Sequence, residues 1–141
     1  MPPIAGAVPI EDARMDPDAC RQLIARYVEA YNSFDLTALG ALVTEDVRFE
    51  NVVDGQLTAV TEGRDRFLAL AAHSRGLFAA RSQRVLALAF EGEVAVARVA
   101  FRGVLAHDMR DGPSAGTLVE LEGQTLFGFR AGAISAIVDR S

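Results

Sequence analysis

Residues 26–55 run RYVEAYNSFDLTALGALVTEDVRFENVVDG, and the spacing of apolar side chains changes character within them. Tyr27, Val28 and Tyr31 continue a helical stripe begun by Cys20, Leu23 and Ile24, with Arg21, Gln22, Arg26 and Glu29 on the other side. Asn32 and Ser33 break that run. A second, shorter helix is predicted from about Asp35 through Val43, carrying Leu36, Leu39, Leu42 and Val43 on one side. After Thr44-Glu45-Asp46 the pattern becomes alternation. Val47, Phe49 and Asn51 share one face of a strand, Arg48 and Glu50 the other. Asp54-Gly55 then reads as a tight turn into a short returning strand.

Upstream, Asp16 is a natural N-cap, Pro17 a natural first helical residue, and Asp18 sits well at the dipole's positive end. Downstream, TEGRDRFLALAAHSRGLFAA (61–80) predicts a third helix whose buried stripe takes Phe67, Leu70, Ala71, Ser74 and Phe78. The remainder alternates as strands over roughly 82–91, 93–107, 116–130 and 133–139. Glu91-Gly92 and Ala131-Gly132 are compact turns, and HDMRDGPSAG (107–116) is the one long loop. Helices packed on a curved, mostly antiparallel sheet make an α+β domain, with one layer of helices closing one face. That domain is expected over 16–141, with 1–15, which holds three prolines, as a loose N-terminal tail.

A chain of 141 residues, half of them hydrophobic, is long enough to bury a core without staples. The net charge of −5 argues against nucleic-acid binding, which needs basic side chains against phosphates. All 14 basic residues are Arg, and the absence of Lys removes Schiff-base catalysis and any P-loop lysine. Cys20 is the single cysteine and reads as a buried structural thiol; His73 and His107 have no ligand spacing around them. No metal site and no cofactor are expected. The N-terminal stretch has no basic n-region and no long apolar run, so a cytoplasmic protein with no membrane span is expected.

The order helix, helix, strand pair, helix, four long strands, with residues 26–55 at its front, resembles the nuclear transport factor 2-like superfamily. That group includes ketosteroid isomerases, limonene epoxide hydrolases, scytalone dehydratases and SnoaL-like polyketide cyclases. The resemblance runs over about residues 16 to 139 and rests on soft motifs. They are an aromatic amid an amphipathic helix, N-x-x-D-L-x-x-L from Asn32, an acidic pair before a strand, a Gly turn, and Gly63-Arg64 opening the third helix. It implies a cone of cystatin-like architecture, a curved sheet wrapped about helices with an apolar pocket at its open end. It also implies a homodimer paired through the sheet's outer face.

Laid without gaps on the ketosteroid isomerase pattern, the sequence puts Tyr27 at the oxyanion-stabilising tyrosine and Asn51 at the catalytic aspartate. Asparagine has no carboxylate and cannot take the proton. The second oxyanion donor falls most naturally on Thr125. The epoxide hydrolase pattern of Arg and Asp two residues apart is met only by Arg98 followed by Ala100.

From the residues themselves, Tyr27 is either a core aromatic or a pocket hydroxyl, and Tyr31 reads as core. Asn51, inward with Val47 and Phe49, either lines a pocket or braces backbone. Asp54 is a turn residue or, if its loop covers the cone mouth, the replacement carboxylate. His73 is a boundary histidine or a pocket acid/base. Asp139, near the chain end, reads as a solvated carboxylate, while the resemblance implies that a late acidic residue can also contribute to the pocket. Arg98, Arg102, Glu120 and Glu122 read as a charge ladder on the sheet's outer face.

The expected function is a pocket for a compact hydrophobic, polyketide- or steroid-like molecule. Any catalysis would be cofactor-free proton transfer serving isomerisation, cyclisation or hydrolysis. Tyr27, Asp54 and His73 are its candidate catalytic residues, and Phe49, Asn51, Phe67, Phe101, Thr125 and Phe127 its candidate ligand contacts. The alternative is a non-catalytic ligand-binding or dimeric interaction domain that has lost its carboxylate.

Overall fold

The computed structural model describes residues 15–141. The tail expected over 1–15 lies outside the described residues except for Met15, which already packs against the core. Helix α1 spans Pro17–Asn32, with Asp16 in extended conformation before it and Pro17 in the first turn. Asp16 makes no side-chain capping bond; Asp18 instead pairs with Arg21 at 2.8 Å. Cys20, Leu23, Ile24, Tyr27 and Ala30 are the buried side of α1. Asp35 caps α2 (Leu36–Leu42) properly, its carboxylate accepting from the Ala38 N–H at 3.0 Å.

Strand β1 runs Val43–Val53 and β2 Gln56–Glu62, joined at Asp54-Gly55 with both residues at positive φ, 51° and 76°. A two-residue hairpin loop requires that geometry, and Gly at its second position supplies it without strain. Helix α3 covers Arg64–Arg75. The strands β3 (Phe78–Glu91), β4 (Val94–Leu105), β5 (Leu118–Arg130) and β6 (Ala133–Arg140) follow as an antiparallel meander. The sheet order is β2-β1-β6-β5-β4-β3, and β6 returns to lie parallel to β1. The sheet is thus mixed, curved and unclosed, with the three helices on one face. Val43, Val47, Leu39, Ala95, Ala97, Ile134 and Ile137 form the centre of the core, each at most 2% exposed.

Two element boundaries differ from the sequence pattern, and in the first Val43 opens β1 rather than closing α2. Phe78 begins β3 rather than ending the stripe of α3, because the helix stops at Gly76, whose N–H bonds the His73 carbonyl. Asn32 also does more than end α1. Its amide donates to the Gln83 carbonyl at 3.0 Å and accepts from the Gln83 N–H at 2.8 Å. Strand β3 is a sheet edge, and Asn32 takes up backbone groups that a neighbouring strand would otherwise satisfy. The outer face carries charge pairs, Arg98–Glu122 at 2.9 Å and Arg48 with both Glu50 and Glu62. Among the described residues no helix is long and apolar enough to cross a membrane.

Candidate functional site

Between the helices and the inner face of the sheet lies a cavity of about 400 Å³. Phe49, Phe67, Leu70, Val99 and Phe101 give it apolar walls. Phe49 and Phe67 meet with ring centres 5.8 Å apart, as do Phe78 and Phe101 at 5.3 Å. Against these walls stand a few polar groups, and strand register arranges them.

Asn51 of β1 is paired with Asp139 of β6, Asp139 with Thr125 of β5, and Thr125 with Ala97 of β4. Residues matched across neighbouring strands project to one face, so Asn51, Asp139 and Thr125 form one transverse polar row in the cavity floor. The Thr125 hydroxyl donates to Asp139 Oδ1 at 2.8 Å. Burial pushes the Asp139 carboxyl up from its ordinary 3.8 to about 6, and the Thr125 bond only partly opposes it. The Asn51 amide turns toward the neighbouring strand instead, donating to Thr58 Oγ1 at 2.8 Å, while that hydroxyl donates to the Asn51 carbonyl at 3.1 Å. Asn51 is therefore both a wall of the cavity and a brace for the hairpin.

Tyr27 is 5% exposed and meets Phe127 edge-on at 5.4 Å. Its hydroxyl has no hydrogen bond to a described residue. Burial, and then the Asp139 charge, hold its pKa well above the ordinary phenol value. Tyr31 is pushed up to about 12, chiefly by burial, with Arg81 pulling the other way. Both phenols are hydrogen-bond donors throughout the physiological range. Arg81 of β3 stacks over the Tyr31 ring at 3.9 Å and the Phe34 ring at 5.0 Å. Burial lowers its pKa, with Tyr31 and Tyr27 opposing, but a guanidinium stays charged. No group of three or more metal-ligating side chains is gathered among the described residues.

Tyr27, Phe49, Asn51, Phe67, Phe101 and Thr125 all border the cavity. Three other candidates lie elsewhere. Asp54 is an exposed corner of its hairpin, where the turn's left-handed geometry and its N–H bond to the Ser141 carbonyl hold it off the cavity. His73 is exposed, because Leu70, Ala71 and Ser74 occupy the cavity side of α3 and a helix places His73 off that side. Phe127 is 2% exposed and packed against Tyr27, in the core beyond the cavity. Conversely Asp139, read as solvated, is the carboxylate in the cavity wall, and Tyr31 and Arg81 join it there. The available signal was spacing: Ile137 is fully buried and Asp139 lies two residues on, on the same strand face.

An unclosed curved sheet with three helices over its inner face and a pocket between them defines the nuclear transport factor 2-like, ketosteroid isomerase-like fold. The model of the SnoaL-like domain matches residues 24–137, and the chain belongs to that family. Among solved structures, a candidate polyketide cyclase from Xanthomonas campestris pv. campestris is 24% identical, with a TM-score of 0.74 over 88% of this chain and 90% of that one. TsrD from Streptomyces laurentii is 23% identical, with a TM-score of 0.74 over 89% and 90%. An LEH-like epoxide hydrolase from M. tuberculosis is 14% identical, with a TM-score of 0.69 over 87% and 82%. At these identities the shared property is the fold. No curated protein matches the sequence.

Proposed function

We propose that this protein is a cofactor-independent enzyme moving a proton on a compact apolar carbonyl compound, with Asp139 as the base. The observation that carries this reading is a carboxyl at the floor of an apolar cavity with its pKa raised to about 6. A base poised near the working pH combines adequate ionisation with useful basicity. In the step proposed, the Asp139 carboxylate takes a proton from the carbon next to a carbonyl. The C–H electron pair becomes the enolate's double bond, and the carbonyl oxygen gains charge opposite the Tyr27 hydroxyl, which donates to it. The same proton then returns to a different carbon, which is isomerisation, or the enolate carbon bonds to a second carbonyl carbon whose π pair moves to its oxygen, and that oxygen takes the proton from Asp139, which is cyclisation. The resemblance to a candidate polyketide cyclase supports the second outcome.

Deuterium uptake at the α-carbon of 1-indanone in D2O, followed by NMR, tests this without the natural substrate. The exchange rate is expected to rise with pH through about 6, as Asp139 ionises, and then level off. Exchange at the buffer rate at every pH sinks the catalytic reading. It would favour the other one, a binding domain without turnover, which the engagement of Asn51 with Thr58 supports.

We also propose a cytoplasmic homodimer through the outer face of the sheet, where Arg98–Glu122 lies in the open. Sedimentation is expected to give twice the chain mass at micromolar concentration; a monomer there counts against it.

A further inference from the structure

The cavity wall contains a positive charge that no described residue balances. Arg81 is 8% exposed, and its guanidinium has no ion pair or hydrogen bond to a described residue. Its Nε is buried without a partner. The rings of Tyr31 and Phe34 stack on the group, and stacking engages its flat surface while leaving the in-plane N–H donors unused. A buried cation without a counter-charge is unfavourable, so this arrangement is stable at a cost that a bound anion offsets.

Aromatic rings hold that group in place against the burial and the neighbouring Arg75 charge, both of which disfavour it. Phe34 sits at φ 57°, a left-handed conformation that a bulky side chain adopts only when its neighbours impose it. In that conformation its ring is stacked by Arg81 at 5.0 Å and by Arg75, from the last turn of α3, at 4.9 Å. Asp139, the acid of the same cavity, is bonded to Thr125 and forms no ion pair with Arg81. The cavity thus offers a guanidinium unpaired among the described residues, a separate carboxyl and aromatic walls.

We infer that the ligand of this cavity is an acid, a compact aromatic or alicyclic carboxylate whose anionic group docks on the N–H edge of Arg81 while its body lies against Phe49, Phe67 and Phe101. A planar carboxylate matches a guanidinium fork, which a neutral ester does not. This rests on the cavity being a small-molecule site, as proposed above, but not on proton transfer at Asp139.

Calorimetry on the full chain at pH 7 with 2-naphthoate and methyl 2-naphthoate tests it. The acid is expected to bind at least about tenfold more tightly than the ester. In Arg81→Met the ratio falls close to one while ester affinity changes little, which also shows an intact pocket. If Arg81→Met does not fold, Arg81→Lys keeps the charge without the fork and is expected to retain part of the preference. Equal, measurable binding of acid and ester by the parent protein overturns the inference and leaves the pocket reading standing. A preference that survives Arg81→Met, or that disappears in Arg140→Met instead, assigns the anion to another group and also overturns it. Binding of neither probe removes both readings.

Discussion

Replacing Asp139 with asparagine is expected to abolish exchange activity and, near neutral pH, to make the protein more stable. Asparagine keeps an oxygen for the Thr125 hydroxyl, so the 2.8 Å bond survives, but it has no basic lone pair to take a proton. Loss of a positioned general base lowers rates by about 10²–10⁴-fold. The stability gain follows from linkage. The folded carboxyl titrates at about 6 and the unfolded one near 3.8, so the folded state holds the proton more tightly. Asp139 therefore favours folding below about pH 4, and that contribution is lost as pH rises to about 6. Above that, burying the charge costs up to about 3 kcal/mol. A side-chain amide does not titrate, so the D139N protein has no such dependence. Urea unfolding of D139N and the parent is expected to agree near pH 4 and to diverge by about 2–3 kcal/mol at pH 8, with D139N the more stable. Parallel stability curves at the two pH values would contradict the buried carboxyl.

A second large effect is expected at Gly123. This residue faces the backbone of β6, and a Cβ added there would overlap the Arg140 carbonyl oxygen. Backbone cannot swing aside as a long side chain does, so Gly123→Ala forces β5 and β6 apart next to the Thr125–Asp139 pair. Overpacking of this kind costs about 1–3 kcal/mol, and a contact this short belongs at the upper end. Loss of the floor geometry should lower exchange activity along with the unfolding midpoint. A G123A protein with parental stability and activity would show that the two strands approach less closely than described.

These two residues also mark the division between what the sequence displayed and what it concealed. Local signals were plain: Asp16-Pro17 before α1, the alternation of Val47, Phe49 and Asn51, and the paired turn residues at Asp54-Gly55 and Ala131-Gly132. Each depends on neighbours a few residues away. The place of Asp139 beside Asn51 depends on register between β1 and β6, which come from opposite ends of the chain, and only its Thr125 partner lies within the reach of one hairpin. Arg81 was hidden for a related reason. It is the fourth residue of β3, just after Gly76 stops a helix whose apolar spacing otherwise continues to Phe78. The apolar spacing alone does not say where one period yields to the other. Asp54 and His73 show the converse: both have chemically suitable side chains, but local geometry turns them outward.

The parallel junction of β1 with β6 is a seam that runs through the site. Asn51 belongs to the β1–β2 hairpin packed by the helices, Thr125 and Asp139 belong together to the β3–β6 meander, and β6 is the strand that joins the two. The hydroxyl partner of Asp139 comes with the β5–β6 hairpin, whereas Asn51 joins the floor across the β1–β6 junction. The polar row is thus shared between two parts of the sheet, and loosening the β1–β6 junction would part Asn51 from the Thr125–Asp139 pair while leaving that pair intact.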